Sequence, residues 1–371
     1  MILKNCSLKQ FEQMMQNKSI VCFGAGKCLY EFFDKTNIKY NIRFIVDNNE
    51  KLWNTVVNVN KQIIKIISLE NAIKQILDDD ILFITASIQA GDEIYKIIEK
   101  SGCFNKNIIY WSFFILYSNK TKKELLPKRN YQFKLTNNMM IPKIIHYCWF
   151  GKNLIPEEFQ KYIAGWKEKC PDFEIIKWDE TNYDVSKNQY MKQAYEAKAW
   201  GFVPDYARKD IIYEYGGIYL DTDVEVIKNL EDLLYQDGFC GFENFEKINF
   251  GLGFGAKKHL PIMKDLRDMY NNMEFKYNKR AEMLIGPDYE TLKLKERGLK
   301  SDGTYQQVEN LTVYPTDVLS GTNSFTDESL VTENTYTVHH YAGTWVDDEY
   351  RNNKDNLKSL CKNYMKQIRK I

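Results

Sequence analysis

Short apolar runs separated by helical or polar stretches organise the first part of the chain. Four such runs predict strands, at residues 19–23, 43–46, 81–85 and 107–110. Between the last two, the stretch from about 91 to 100 has the spacing of a helix. Alternation of strands and helices is typical of a parallel, doubly wound sheet. We therefore expect an α/β chain whose residues 1–118 form a Rossmann-like domain.

The first glycine turn resembles the start of a dinucleotide-binding fingerprint. Gly24 and Gly26 follow the first strand, and Asp47 follows the second, where an acidic residue would hold a ribose. The third glycine position is occupied by Leu29, so the fingerprint is incomplete. Two interpretations stay open: a packing module without a cofactor, or an NAD-binding, sugar-modifying domain. Backbone N–H groups at residues 24–27 could still cradle an anion at the helix start.

Composition changes towards the middle and the end of the chain. An aromatic run at 111–118 gives way to basic and polar residues, which predicts a linker at 119–138 and a second domain at 139–371. The last stretch, about 354–371, predicts a helix with apolar residues on one side and lysines on much of the rest. It is either an ordinary docked helix or a basic helix that lies on an anionic membrane.

A helix, a turn and a strand follow one another in the second domain. Pro204 suits the first turn of a helix, and Ala207, Ile211 and Tyr215 form one apolar face of it. The pair Gly216-Gly217 ends this helix and leads into a short apolar run at 218–220.

Carboxylates stand directly after that apolar run, at Asp221 and Asp223. Hard oxygen ligands at such a position suit a divalent cation such as Mg²⁺ or Mn²⁺. Asp205 and Arg208 share a second face of the helix, which would come close to this D-x-D if helix and strand run antiparallel. An Arg there can bridge phosphate oxygens and an Asp can accept sugar hydroxyls; the alternative is a plain surface ion pair.

Composition limits the class of protein. The chain has 371 residues and a net charge of +1, so no strong field favours nucleic acid, and no RNA- or DNA-binding signature is present. Eight cysteines without a C-x-x-C pair predict free thiols in a reducing compartment. Because no apolar run approaches the roughly 18 residues of a membrane span, we expect a soluble, cytoplasmic protein.

Residues 204–225 resemble the sugar-binding region of glycosyltransferase family 32 and the catalytic domains of the large clostridial glucosylating toxins. Three further blocks occur in the family's order, so that the resemblance covers about 139–350; they lie at 141–151, 248–261 and 340–345. The last block departs from the family in carrying Thr344 where Ser is usual.

The resemblance implies a GT-A nucleotide-sugar transferase domain and a retaining hexosyltransferase of capsular or other surface polysaccharide synthesis. It implies a UDP-sugar donor, carrying galactose, glucose or N-acetylglucosamine, and an oligosaccharide or lipid-linked acceptor. With a lipid-linked acceptor, peripheral contact with the inner face of the plasma membrane through the C-terminal basic helix would be useful. GDP-mannose is the alternative donor.

The resemblance also implies roles for individual residues. Asp221 and Asp223 would hold Mn²⁺ or Mg²⁺ together with His340. The His-Tyr-x-Gly pattern that begins at His340 resembles one in family 8 galactosyltransferases, in which the histidine binds manganese. His339 competes with His340, and an alternating strand places the two on opposite faces. The residues expected to contact the donor are Trp149, Asp205, Arg208, Asn249 and Trp345.

Several of these assignments have structural alternatives. Trp149 would stack on the nucleobase or lie in the core, and Asn249 with Gly251 to Gly255 would approach the substrate or serve packing alone. Trp345 would close over the diphosphate. Asp288, in a Gly-Pro-Asp element, would lie near the acceptor or belong to an ordinary turn. A non-catalytic scaffold and a metal-dependent hydrolase of nucleotide sugars are the remaining functions considered.

Overall fold

The computed structural model describes residues 2–3, 18–26, 28–30, 33, 41–59, 62–77, 80–85, 93–94, 96–98, 100, 109–112, 131–243, 247–276, 285–324, 327–343 and 352. These residues divide into two compact units, the first within 1–125 and the second within 126–352. Both units combine helices with sheets, so the chain is of mixed α/β class. The predicted C-terminal helix and most of the predicted linker lie outside the described residues.

The described strands of the first unit form a seven-stranded sheet. Its strands are β1 (Ile2–Leu3), β2 (Ser19–Phe23), β3 (Asn41–Val46), β4 (Val56–Val59), β5 (Gln62–Ile67), β6 (Ile81–Ile84) and β7 (Ile109–Ser112). Helix α1 (Leu69–Ile73) follows β5. The order is β1-β7-β6-β2-β3-β5-β4, and every pair is parallel except β4 with β5. The expected parallel pairing is therefore present, while β4 and β5 are additions that the sequence analysis missed.

The glycine turn after β2 is held by the protein's own groups. The N–H of Ala25 donates to Asp47 Oδ2 over 2.8 Å, and that of Asn49 donates to Asp47 Oδ1 over 2.8 Å. Gly24 has a φ of 110°, and a Cβ there would lie 2.7 Å from the carbonyl oxygen of Thr85. Asp47 Oδ2 thus ties the end of β3 to the glycine turn, while Oδ1 is used by a local bond to Asn49, which favours the packing interpretation of this segment.

The described part of the second unit contains ten strands: β8 (Ile144–Cys148), β9 (Glu174–Trp178), β10 (Gly217–Tyr219), β11 (Val224–Val226), β12 (Gly238–Glu243), β13 (Lys247–Ile248), β14 (Phe254–Ala256), β15 (Gln306–Val308), β16 (Leu311–Tyr314) and β17 (Thr337–His339). Its helices are α2 (Glu157–Lys169), α3 (Gln189–Glu196), α4 (Pro204–Tyr215), α5 (Pro261–Asp268), α6 (Gly286–Lys295) and α7 (Thr316–Leu319).

The main sheet of this unit has the order β15-β16-β12-β14-β10-β8-β9, with β13 paired to β12, and β11 pairs with β17 separately. Strands β8 and β10 are parallel neighbours, with Ile218 opposite Ile145 and Tyr219 opposite His146. Parallel strands end at the same edge of a sheet, so the residues that follow β8 and β10 emerge side by side.

Helix α4 lies in the interior of the unit. Every residue from Pro204 to Ile212 is buried, including four charged side chains, whereas Tyr215 is 52% exposed. The expectation of one apolar face ending in Tyr215 is therefore wrong, because tertiary packing covers the whole first part of the helix. Buried charges require partners, and those of α4 lead directly to the candidate site.

Within the described part of the chain, no helix combines the length and apolar character needed to cross a membrane. Five cysteines fall in the same part, and all five are free thiols: Cys22, Cys28, Cys148, Cys170 and Cys240.

Candidate functional site

A tight reversal brings α4 back onto the sheet. Gly216 and Gly217 have φ values of 70° and 101°, and a Cβ at Gly217 would lie 2.8 Å from the carbonyl oxygen of Ile144. Only glycine adopts this conformation without strain at so close an approach. Beyond β10, the N–H of Leu220 donates to the carbonyl of His146, and Asp221 follows at the carboxyl edge of the sheet. The predicted helix, turn and strand are confirmed.

Arg208 connects the helix to the D-x-D. Its Nη2 lies 3.2 Å from Asp205 Oδ1 and its Nη1 lies 3.4 Å from Asp221 Oδ2. Its Nε donates to the carbonyl of Pro204, and the guanidinium lies 5.3 Å from the ring centre of Tyr219. Burial opposes its charge, but Asp221, Tyr219 and Asp205 raise the pKa of Arg208 above its usual value. The expected meeting of Asp205, Arg208 and Asp221 is present, and the surface-pair alternative is wrong since the pair is buried.

Asp205 is a buried carboxylate with few partners. Its Oδ2 accepts from the hydroxyl of Tyr190 over 3.3 Å, and its Oδ1 faces Arg208. Burial raises the pKa of Asp205 to about 6, although the positive charges of Arg208 and Lys209 act in the opposite direction. A carboxylate held in this way can accept a hydroxyl hydrogen bond from a ligand.

Among the described residues, Asp221, Asp223 and His339 form a group that could hold a metal ion, with one ligand atom from each within 4.8 Å of the others. His339 Nε2 lies 3.3 Å from Asp223 Oδ1, and the N–H of Ala342 donates to Asp223 Oδ2 over 2.9 Å. Burial raises the pKa of Asp223, but His339 and the Ala342 N–H outweigh it and the pKa is lowered. For Asp221 burial prevails, and its pKa is raised.

The structure places His339 rather than His340 beside the carboxylates. Strand β17 pairs with β11 so that His339 lies opposite Val224, and the N–H of His340 donates to the carbonyl of Asp223. The side chain of His340 lies against Glu225, 3.0 Å away, and stacks on Tyr162 with ring centres 4.6 Å apart. The alternation argument was right, but the assignment of His340 to the inner face was wrong.

The two carboxylates and His339 fit a divalent cation by their chemistry. Oxygen ligands suit Mg²⁺ and Mn²⁺, and an imidazole beside them favours Mn²⁺ over Mg²⁺. His339 Nδ1 is buried and has no hydrogen-bond partner among the described residues. Asp205 and Asp221 contact the guanidinium of Arg208, and Asp223 belongs to the same group as Asp221. With three carboxylates and one guanidinium, even a charged His339 leaves negative charge in excess. An added cation would balance that excess.

The segment after β13 closes one side of the D-x-D. The carbonyl of Gly251 accepts from the N–H of Asp221, and a Cβ at Gly251 would overlap Asp221 Oδ2. Asn249 uses its side chain locally: Nδ2 donates to Glu243 over 2.7 Å and Oδ1 accepts from the Gly251 N–H over 2.7 Å. Asn249 therefore shapes this turn, and its role as a donor ligand stays a prediction.

The other predicted residues occupy different surroundings. Trp149 follows β8, is half-buried, and donates its indole N–H to the carbonyl of Asn153. Its ring lies edge-on to Phe159 at 6.3 Å, so stacking on a base stays a prediction. Asp288 accepts from the N–H of Ile285 at the start of α6 and pairs with Lys247, which makes it a local helix-start residue. Trp345 lies outside the described residues.

The sequence analysis missed two side chains that make defined contacts in this region, Tyr219 and His146. Tyr219 donates its hydroxyl to Asp221 Oδ1 over 3.1 Å, and it lies in the apolar run that was taken as a plain strand. His146 is fully buried; the indole N–H of Trp178 donates to its Nδ1, and its Nε2 lies 2.9 Å from the carbonyl oxygen of Gly216. A histidine in an apolar strand and a tyrosine two residues before the first aspartate were the signals available.

Comparison with known proteins identifies the region around the site. Residues 156–240 match the family model described as "Glycosyltransferase sugar-binding region containing DXD motif". This match contains Asp205, Arg208, Asp221 and Asp223 but not His339.

Curated relatives carry glycosyltransferase names. Inositol phosphoceramide mannosyltransferase 3 of Schizosaccharomyces pombe is 31% identical over 164 residues, which are 40% of this chain and 43% of that protein. The uncharacterized glycosyltransferase L373 of Acanthamoeba polyphaga mimivirus is 36% identical over 101 residues, 26% of this chain and 40% of that protein. The chain thus spans less than half the length of these two relatives.

A solved structure entitled PaToxG Glycosyltransferase covers 55% of this chain and 80% of its own, at 16% identity and a TM-score of 0.34, which supports no inference. The family match and the named relatives agree on one statement: the second unit contains a segment, residues 156–240, that is similar to the DXD-containing sugar-binding region of glycosyltransferases.

Proposed function

We propose that the protein transfers a hexose from a nucleoside diphosphate sugar to a hydroxyl group of a saccharide acceptor, with a divalent cation at the D-x-D. The observation that carries this proposal is the guanidinium of Arg208, shared between Asp205 and Asp221 next to the group of Asp221, Asp223 and His339. A fixed positive charge beside a carboxylate-rich metal site is the arrangement that a leaving diphosphate requires.

Asp221, Asp223 and His339 would hold the cation, for which Mn²⁺ is our first choice. When bound, the cation would offset the charge that develops on the departing diphosphate. Arg208 adds a buried, permanent positive charge at the same place. Asp205, oriented by Tyr190 and Arg208, would accept hydrogen bonds from hydroxyl groups of the donor sugar. Trp149, at the same edge of the sheet, is the proposed stacking partner for the nucleobase.

The identity of the donor and the biological role are proposed from the family resemblance and from the names of the relatives. The resemblance to glycosyltransferase family 32 supports a GT-A fold, retention of the anomeric configuration and a role in capsular or other surface polysaccharide synthesis. The resemblance to the toxins and to family 8 supports a UDP-sugar. The names of the S. pombe relatives support mannose, which makes GDP-mannose the competing donor. We also propose that the protein is located in the cytoplasm.

Nucleotide release from a panel of donors tests the proposal. The panel is UDP-galactose, UDP-glucose, UDP-N-acetylglucosamine and GDP-mannose, each assayed with Mn²⁺ and with a chelator, with and without simple sugar acceptors. We expect release from one donor that depends on Mn²⁺ and is abolished by Asp223→Asn. Acceptor-stimulated release distinguishes a transferase from a hydrolase. No release, together with no donor binding by calorimetry, would overturn the proposal.

A further inference from the structure

A fully buried ion pair lies behind the candidate site. Lys209 on α4 and Glu290 on α6 are 0% and 1% exposed at their side chains, and their Nζ and Oε1 atoms are in direct contact. Lys209 also lies 5.5 Å and 5.1 Å from the ring centres of Phe250 and Tyr270. Burial lowers the pKa of Lys209, because the enclosed site disfavours the charged form of the amine. Such a pair adds little net stability over apolar side chains of the same size, so its presence calls for another role.

Glu290 makes a second contact that gives it such a role. Its Oε2 accepts a hydrogen bond from the N–H of Phe250 over 3.3 Å. The next residue on α6, Thr291, accepts from the N–H of Ile248 over 2.9 Å through its hydroxyl. Two neighbouring side chains of α6 therefore hold the backbone of the segment that precedes Gly251.

Every backbone N–H from 248 to 252 has a partner. The N–H groups of Ile248 and Phe250 donate to the α6 side chains described above. The N–H of Asn249 donates to the carbonyl of Gly241, that of Gly251 donates to the side chain of Asn249, and that of Leu252 donates to the carbonyl of Asn249. These five hydrogen bonds hold the backbone of the segment in its observed path. That path places the carbonyl of Gly251 on the N–H of Asp221 and its Cα against Asp221 Oδ2.

The start of α6 lies next to Asp205. A Cβ at Gly286 would lie 3.1 Å from Asp205 Oδ1 and 3.2 Å from Glu290 Oε1. Helix α6 thus lies against Asp205 at its first residue and against segment 248–252 at Glu290 and Thr291. Lys209 fixes the carboxylate of Glu290 from α4, the helix that carries Asp205 and Arg208.

We propose that Glu290, held by Lys209, is a positioning residue for the metal and donor site. It acts through the Phe250 N–H on Gly251, and through Gly251 on Asp221. This inference rests on the proposed function only for the effect of Glu290 on the donor, since its effect on segment 248–252 and on metal binding is independent of any transfer reaction.

Two double variants of nearly equal volume test the proposal in the full-length chain. K209M/E290Q removes both charges but keeps an oxygen for the Phe250 N–H, whereas K209M/E290L removes both charges and that oxygen. Removing the acceptor from a buried N–H makes local opening easier. We expect amide hydrogen exchange at Phe250 and Gly251 to be at least roughly tenfold faster in K209M/E290L than in K209M/E290Q.

The same pair of variants separates positioning from plain support of the fold. We expect the dissociation constant for Mn²⁺, measured on the folded protein, to be roughly tenfold higher in K209M/E290L than in K209M/E290Q. Equal exchange rates and equal Mn²⁺ affinities in the two variants would overturn the inference. With an active donor, KM for that donor should rise more than kcat falls. If the wild-type protein binds Mn²⁺ but releases no nucleotide, that result counts against the proposed function. The positioning role is then still decided by amide exchange and Mn²⁺ affinity in the two variants.

Discussion

His339 Nε2 lies 3.3 Å from Asp223 Oδ1, at the point where β17 ends beside β11. The adjacent residue, His340, faces Glu225 on the opposite side of the strand. His339 thus belongs to the candidate metal group, whereas the neighbouring His340 lies outside it. Substituting each histidine in turn gives a matched comparison.

His339→Ala should reduce Mn²⁺-dependent nucleotide release by at least about tenfold and weaken Mn²⁺ binding, because it removes the imidazole from the ligand group. His340→Ala should change either quantity less than about threefold, since a half-exposed pair with Glu225 contributes little. Titration of Mn²⁺ by calorimetry, with release assays on the same preparations, measures both. Equal losses in the two variants would contradict the assignment of His339.

Arg208→Lys should lower kcat/KM by roughly a hundredfold while the protein stays folded. A lysine has one ammonium group and cannot contact Asp205, Asp221 and the carbonyl of Pro204 together. Arg267→Lys is the control, because Arg267 also bridges carboxylates, Asp210 and Asp268, but does not contact the D-x-D. Steady-state kinetics and circular dichroism on both variants decide the matter; comparable losses in both would count against a specific role for Arg208.

Gly251→Ala should abolish Mn²⁺ binding or weaken it by more than about tenfold, since the added methyl group would overlap Asp221 Oδ2. Gly165→Ala is the matched control: this glycine lies inside α2, and a Cβ there meets nothing within 4 Å. The control should raise stability by about 0.4–1 kcal/mol through the unfolded state. Thermal unfolding and Mn²⁺ titration are the measurements, and unchanged Mn²⁺ affinity in Gly251→Ala would refute the predicted close approach.

Stability should fall as the pH is lowered from about 6.5 towards 4, because of His146. Burial lowers the pKa of this imidazole to about 4, although its bond to the Gly216 carbonyl acts in the opposite direction. The unfolded chain, with an ordinary pKa near 6.5, binds the proton first, so the stability present above pH 6.5 is lost through this window. The loss attributable to His146 is roughly 3 kcal/mol. Urea unfolding between pH 4 and 7 measures it, and His146→Gln should flatten the dependence in that range.

Local sequence spacing predicted the part of the site that is built locally. Asp205, Arg208 and Asp221 belong to one helix, one glycine turn and one strand, so their approach follows from the order of those elements. The choice between His339 and His340 depends on how β17 pairs with β11, which is a long-range register that spacing does not contain. The pairing of Lys209 with Glu290 and the approach of Gly251 are likewise set by packing between distant segments. In the first unit, parallel pairing followed from strand and helix alternation, but the hairpin of β4 and β5 did not.

The pairing of β11 with β17 has a consequence for the order in which the chain acquires its chemistry. Ribosomal synthesis delivers Asp221 and Asp223 early, while the imidazole that joins them arrives with residues 337–339. A nascent or truncated chain that ends before β17 presents the two carboxylates without the imidazole of His339. Under the proposed function, high-affinity binding of the cation would therefore follow synthesis of most of the second unit, and metal occupancy would indicate that the unit has folded.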